Sequence, residues 1–199
     1  MADVIACLGW GSLVWNPDGL PLKTPWHKDG PTLPVEFARQ SKNGRITLVT
    51  CAGAPAVPVL WAEMDAANKT AAIDALAARE GIPAKNIERH VGVWRPDEKP
   101  LGPIADTVGE WAAPLGLAAV VWTALPPKFG GVERKPSVQE VVDYLSGLTG
   151  ERRILAEEYI RRTPRQVRTR YRTAIEHSLG WQPDEDGPGA GKEPREASL

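Results

Sequence analysis

Six stretches of the chain carry patterns of hydrophobic residues that predict β-strands. A run that is apolar throughout, such as residues 117–124, predicts a central strand covered on both faces. Alternation of apolar and polar residues, as at 35–41, predicts a strand with one exposed face. The six predicted strands are residues 4–8, 35–41, 45–50, 57–64, 87–95 and 117–124. Because Asn43 and Gly44 accept positive φ between two of these strands, residues 35–50 are predicted to form a β-hairpin.

An alanine-rich segment in the middle of the chain predicts a helix. Asp65 is placed to cap this helix, which covers residues 66–80 and ends at Gly81. Proline, glycine and aspartate in residues 96–114 predict an irregular excursion between strands.

Three further helices are predicted toward the C-terminus. Ser137 with Glu140 makes a capping box that starts the first of them. The Thr163-Pro164-Arg165-Gln166 sequence supplies a cap, a first-turn proline and a reciprocal glutamine for the third. The predicted ranges are 137–148, 151–162 and 163–178.

The length of 199 residues predicts one domain with a sizeable core. We assign residues 1–180 to this domain and expect it to be α+β. Residues 181–199 are rich in proline, glycine and charge and have few apolar side chains, so they are predicted to be a disordered tail. The pattern leaves the oligomeric state open.

The balance of charge gives no electrostatic reason to expect a nucleic-acid or membrane partner. Lysine and arginine total 24 against 25 acidic residues, a net charge of −1. No apolar run approaches the ~20 residues of a membrane span, and the N-terminus lacks the pattern of a signal peptide. The histidines and cysteines do not have the spacing of metal ligands, and Cys7 and Cys51 are predicted to be buried free thiols. We therefore predict a cytoplasmic protein without a bound metal.

Arginines near the C-terminus support a competing class of function, a nucleic-acid-binding or interaction module. Four of them share one face at helical spacing, and arginine suits phosphate contacts. Glu157 and Glu158 are spaced to pair with arginines of this segment, however, and no aromatic residues interleave with them. We therefore favour a solvated helix face. The four arginines are Arg161, Arg165, Arg168 and Arg172.

A glycine-rich turn follows the first strand and is the first candidate for chemistry. In Gly9-Trp10-Gly11-Ser12-Leu13, two glycines and a serine expose backbone amides, and the missing Cβ atoms let a ligand approach closely. Such a turn can cradle an anion. The alternative is a tight structural turn in which Trp10 and Trp15 belong to the core.

Glu80 is the second candidate, because it continues the core-facing side of the alanine-rich helix. At ~100° per residue it shares a stripe with Leu76 and Ala77. Asp74 and Arg79 are expected to point away from that stripe. Burial and the negative end of the helix dipole both raise the pKa of a carboxyl group at this position, which suits a residue that takes and returns a proton. The alternative is a frayed last turn with Glu80 paired to a surface cation.

Two arginines on the predicted hairpin, Arg39 and Arg45, are placed where they could face a carboxylate-bearing substrate. The alternative is that both are solvated charges on edge strands, and for either residue taken alone this alternative is favoured.

The segment Gly9-Trp10-Gly11-Ser12-Leu13-Val14-Trp15-Asn16-Pro17 resembles the N-terminal signature of the γ-glutamylcyclotransferase fold and is most similar to its ChaC-like branch. Trp10 stands where that family usually has tyrosine. The Arg79-Glu80-Gly81 segment, at the end of a helix that follows a strand, resembles the segment in which these enzymes carry their catalytic glutamate. The resemblance implies a small mixed β-barrel of about six strands with flanking helices.

The resemblance also implies a reaction and the residues that perform it. The α-amine of a γ-glutamyl compound attacks its own γ-carbonyl and releases 5-oxoproline, without metal or organic cofactor. Glu80 is the implied acid and base, and glutathione is the expected substrate. Small γ-glutamyl amino acids or amines are the alternative, and a non-catalytic member of the fold is a third. The expected substrate contacts are Gly9, Trp10, Gly11, Ser12, Leu13 and Arg39.

Overall fold

The computed structural model describes residues 4–184, in which strands and helices alternate irregularly along the chain. The strands are β1 (Ile5–Gly9), β2 (Thr32–Leu33), β3 (Val35–Gln40), β4 (Ile46–Thr50), β5 (Val57–Pro58), β6 (Leu60–Glu63), β7 (Val91–Trp94) and β8 (Ala119–Thr123). The helices are α1 (Ser12–Trp15), α2 (Lys69–Glu80), α3 (Ile87–His90), α4 (Ala105–Ala112), α5 (Val138–Ser146), α6 (Gly150–Arg162) and α7 (Arg170–Leu179). The α+β class is confirmed.

The largest sheet has four strands in the order β6-β1-β8-β7. β1 and β8 run parallel, and the other two pairs are antiparallel. The central position predicted for residues 117–124 is confirmed, since Val120, Val121 and Trp122 of β8 have no exposed surface. The remaining strands form two separate two-stranded ladders, so the sheets do not close into a barrel and the expected barrel is not confirmed.

One of these ladders is the predicted hairpin of β3 and β4. Gly44 in its turn has φ of 83°, as the Asn-Gly pair predicts. The side of β4 away from β3 is linked to the rest of the domain by side chains. The Leu48 carbonyl accepts from Trp10 Nε1 at 3.3 Å, and the Leu48 amide donates to the Tyr159 hydroxyl at 3.2 Å. The hairpin therefore lies beside the end of β1 without joining its ladder.

The predicted alanine-rich helix is present as α2, and Gly81 ends it with a left-handed φ of 62°. The cap differs from the prediction. Asn68 caps the helix, because its side chain accepts from the Ala71 amide at 3.0 Å, and Asp65 is left exposed in the preceding loop.

Two predictions in the middle of the chain are wrong. Residues 87–90 form the helical turn α3, and only 91–94 form the strand β7, because alternation over a few residues also fits a short helix. The segment 96–114 is not irregular throughout, since it contains α4, whose Val108 and Ala112 are fully buried. An isolated short helix gives a weak signal in the sequence because its stability comes from packing.

The last predicted helix starts later than expected. Thr163 does not cap it, because its hydroxyl donates to the Tyr159 carbonyl of α6 at 2.8 Å. The side-chain amide of Gln166 donates instead to the backbone carbonyls of Lys28 and Val59. Thr169 is the cap, and α7 begins at Arg170.

Arg172 contradicts the expectation of a solvated arginine face. Its side chain is 2% exposed and forms an ion pair with Glu176 at 2.8 Å. Its guanidinium also donates to the carbonyls of Pro164 at 2.8 Å and Thr163 at 3.0 Å. Because residues 163–169 are not helical, their carbonyls need outside donors, and Arg172 supplies them.

The packed region extends beyond residue 180. Trp181 is 2% exposed, and Asp184 pairs with Arg161 Nε at 3.0 Å. The predicted tail is therefore wrong for residues 181–184, while its remainder lies outside the described residues. Cys7 and Cys51 are buried free thiols, as predicted. None of the helices between residues 4 and 184 combines the length and the hydrophobicity that crossing a membrane requires.

Candidate active site

A cavity of about 280 Å³ lies at the carboxyl end of β1, between the first turn of α1, the hairpin and the C-terminal end of α2. All seven residues that the sequence marked for substrate contact or catalysis line it. The structure thus brings together segments that are up to 71 positions apart in the chain. These residues are Gly9, Trp10, Gly11, Ser12, Leu13, Arg39 and Glu80.

The two glycines of the turn are required by close packing. A Cβ on Gly9 would lie 2.6 Å from the Trp26 ring, and one on Gly11 would lie 2.3 Å from the Tyr159 hydroxyl oxygen. Ser12 then starts the single turn α1, in which the Asn16 amide donates to the Ser12 carbonyl at 2.8 Å. The first amides of a helical turn have no acceptor within that turn. The Val14 amide nevertheless donates to the Gly11 carbonyl at 2.9 Å, and the Ser12 amide lies against the Tyr159 hydroxyl. Among the described residues, the Leu13 amide has no protein acceptor and is available at the wall of the cavity.

Glu80 is the last residue of α2, and its side chain is 20% exposed. Burial raises the pKa of its carboxyl group, and the charges of Arg79 and Arg45 oppose part of that rise. The upward direction predicted for this position is confirmed. A carboxyl group that has a raised pKa and faces a cavity can exchange protons at a pH nearer neutrality than an ordinary glutamate can.

The helical stripe predicted that Arg79 points away from the side that carries Glu80, but the structure places the two side chains next to each other. Its Nη1 lies 3.8 Å from Glu80 Oε1, and its Nε donates to the Asn16 carbonyl at 3.1 Å. The side chain is long enough to fold back over the last helical turn. It thereby ties the end of α2 to the end of α1 and keeps Glu80 beside the glycine turn.

Trp10 and Tyr159 form the aromatic part of the cavity wall. Trp10 is 5% exposed and packs in the core as well as lining the cavity, so both readings of the turn apply to it. Tyr159, from α6, was missed by sequence reasoning. Burial raises the pKa of its hydroxyl to about 12, so the hydroxyl, like that of an ordinary tyrosine, is protonated near neutral pH. Since the hydroxyl oxygen accepts from the Leu48 amide, its hydrogen is available to a ligand in the cavity.

Arg39 and Arg45 both reach the cavity from the hairpin. Arg39 Nη1 donates to the Pro126 carbonyl at 2.6 Å, and burial lowers the pKa of its guanidinium. The Arg45 guanidinium lies 5.7 Å from the centre of the Tyr159 ring. With Arg79, the cavity has three arginines against the single carboxylate of Glu80. This excess of positive charge favours an anionic ligand.

The chemistry available in this cavity is proton transfer and anion binding. Within residues 4–184, no three side chains of histidine, cysteine, aspartate or glutamate are grouped so that they could hold a metal ion. Neither the protein-family models nor the curated proteins compared with this chain gave a match.

Proposed function

We propose that this protein is a γ-glutamylcyclotransferase that releases 5-oxoproline from a γ-glutamyl compound, with glutathione as the preferred substrate. The observation that carries the proposal is the shared cavity of Glu80 and the turn at residues 9–13. The resemblance of the turn to the family signature and the positive charge around the cavity support an anionic γ-glutamyl ligand.

The proposed reaction is an intramolecular ring closure. Turn amides hold the α-carboxylate of the substrate, so that its α-amine lies against the γ-carbonyl carbon. Glu80 accepts a proton from the α-ammonium group, and the amine forms the new carbon–nitrogen bond. The old amide bond then breaks as Glu80 returns this proton to the leaving nitrogen. Glu80 next takes the second proton from the ring nitrogen and passes it to the released amine, which departs as an ammonium ion. Holding the tethered groups in contact supplies much of the rate gain, and the proton transfers supply roughly 10²- to 10⁴-fold more.

Tyr159 supplies the hydroxyl that is missing at position 10, where the family that the turn resembles usually has tyrosine. Trp10 occupies the usual tyrosine position and has no hydroxyl. The Tyr159 hydroxyl lies against Gly11 from another element, accepts from the Leu48 amide, and keeps its hydrogen for a ligand beside the same turn. We therefore include Tyr159 among the groups that hold the substrate.

The proposal extends to the fold and the cellular setting. Trp10 and Tyr159 link β4 to the turn that follows β1, and with the resemblance of that turn this contact supports a fold of the γ-glutamylcyclotransferase type. Two buried free thiols support a reducing compartment such as the cytoplasm.

The proposal is tested by measuring 5-oxoproline release from purified protein. The substrates are glutathione, γ-glutamyl-alanine and the α-linked isomer of glutathione, which has no γ-amide bond, so that ring closure on its γ-carboxyl group cannot release free 5-oxoproline. We expect release from the γ-linked compounds and none from the α-linked isomer. If binding of glutathione is observed by calorimetry without any release, the non-catalytic alternative replaces the enzyme. Absence of both contradicts the proposal.

A further inference from the structure

A second cavity lies directly against the candidate active site. Its volume is about 450 Å³, and it is bounded by α1, the end of α2 and one face of α6. The two cavities have four residues in common, which form the wall between them. These residues are Ser12, Arg45, Arg79 and Tyr159. The two cavities are therefore adjacent.

Positive charge dominates the second cavity. Arg45, Arg79 and Arg162 line it, and Glu158 is its one carboxylate. Arg162 Nη1 lies 2.8 Å from Glu158 Oε1, and the guanidinium lies 5.9 Å from the centre of the Trp15 ring. This pairing uses part of the guanidinium, which carries five N–H donors in all. Donors remain for a second acceptor.

Arg45 adds a donor without a protein acceptor. Its Nε is buried, and within residues 4–184 it has no hydrogen-bond partner. Burying a polar group without a partner lowers stability, so such groups are rare unless a ligand or water completes them. Arg45 lines both cavities, which places its side chain between them.

We infer that the second cavity binds a carboxylate at the far end of the leaving group, and that Arg162 is the residue that sets this specificity. The inference rests on the proposed function, in which the turn amides hold the α-carboxylate. The guanidinium groups of the second cavity then face a different negative charge. A γ-glutamyl peptide with a free terminal carboxylate carries that charge, whereas a γ-glutamylamine does not.

The test compares glutathione with its C-terminal amide, which differs only at the carboxylate in question. We measure kcat/KM for 5-oxoproline release by the wild type, Arg162→Gln and Arg161→Gln. The control is matched in exposure, because the two arginine side chains are 41% and 40% exposed and each pairs with a glutamate four residues earlier, although Arg161 also pairs with Asp184. Only Arg162 lines the cavity.

We expect the wild type and Arg161→Gln to prefer the acid over the amide by roughly tenfold. In Arg162→Gln the rate with the acid falls by about the same factor, while the rate with the amide is kept, which also shows that the variant is folded. Equal rates with acid and amide in the wild type, or an equal loss of both in Arg162→Gln, overturn the assignment of this cavity alone. No release from either substrate overturns the proposed function and this assignment together.

Discussion

A Cβ atom on Gly11 would lie 2.3 Å from the hydroxyl oxygen of Tyr159, which is far inside contact distance. The tyrosine is fixed in this position by the Leu48 amide, 3.2 Å from its oxygen, and by the Trp15 ring, 5.3 Å away and nearly edge-on. The glycine turn and α6 are therefore fitted to each other, although 148 positions separate them. The candidate site depends on this fit because the contact forms one side of the cavity.

The fit predicts that Gly11→Ala is destabilising in a way that depends on Tyr159. We expect the substitution to lower the free energy of unfolding by about 1–3 kcal/mol, as overpacking usually does. In a Tyr159→Phe background the added cost is smaller, because the nearest remaining ring atom would be 3.3 Å away. Urea unfolding of the wild type, both single variants and the double variant measures the coupling.

Gly147→Ala is the control for this cycle, because a Cβ there meets only ordinary contacts at 3.5 Å and beyond. Its effect on stability is expected to be within about 0.5 kcal/mol. Additive costs of Gly11→Ala and Tyr159→Phe would contradict the fit.

The hydroxyl of Tyr159 is expected to matter for activity as well. Tyr159→Phe removes a donor to the bound substrate, and hydrogen bonds to charged groups contribute about 1.5–3 kcal/mol, so kcat/KM falls by roughly ten- to a hundredfold. Steady-state 5-oxoproline release measures this loss. Tyr144→Phe, on α5 and outside the cavity, is the control and keeps the wild-type rate. A rate unchanged in Tyr159→Phe would remove the hydroxyl from the proposed site.

The raised pKa of Glu80 predicts how stability depends on pH. The folded protein favours the protonated carboxyl group more than the unfolded chain does, so ionisation of Glu80 costs stability. Glu80→Gln resembles the protonated form and is expected to be more stable than the wild type at neutral pH. This gain shrinks as the pH falls toward the unfolded pKa of about 4.3. Thermal unfolding across this pH range measures the difference in stability between Glu80→Gln and the wild type. A stability gain that is largest in acid would contradict the burial of the Glu80 carboxyl group.

Glu36 is more deeply buried than Glu80 but serves the fold. It is 1% exposed, Oε1 accepts from the Phe37 amide at 2.9 Å, and Oε2 accepts from the Tyr171 amide at 3.3 Å. Glu36→Gln replaces one acceptor oxygen by a donor and is expected to cost about 1–3 kcal/mol in urea unfolding. Glu63→Gln, in a surface ion pair with Lys23 at 3.3 Å, is expected to cost less than about 0.5 kcal/mol. If Glu36→Gln and Glu63→Gln lower the free energy of unfolding equally, the hydrogen bonds of Glu36 do not stabilise the packing of β3 on α7.

Local patterns in the sequence were sufficient for several parts of the fold and of the candidate site. The β3–β4 hairpin, the central strand β8 and the end of α2 at Gly81 are each determined by a few neighbouring residues. The glycine turn and Glu80 were found in the same way, because a strand end and a helical stripe are visible in one segment.

The residues that were missed depend on contacts between distant segments. Tyr159 meets Leu48 across 111 positions, and nothing in the spacing of α6 marks it as part of a site. Arg79 was expected to face solvent because the helical stripe describes where a side chain leaves the helix. The stripe does not predict the position of the end of a long side chain. The guanidinium of Arg79 is positioned by its hydrogen bond to the Asn16 carbonyl. Arg172 is buried for the same reason, through the carbonyls of a non-helical segment.

The role of Glu80 is the central claim, and kcat/KM for 5-oxoproline release by Glu80→Gln tests it most directly. Glu63→Gln is the matched control, since the Glu63 side chain is 25% exposed against 20% for Glu80 and lies outside the cavity. We predict that Glu80→Gln still binds glutathione but loses roughly 10²- to 10⁴-fold of kcat/KM, while Glu63→Gln keeps the wild-type value. A Glu80→Gln variant that releases 5-oxoproline at the wild-type rate would contradict the account.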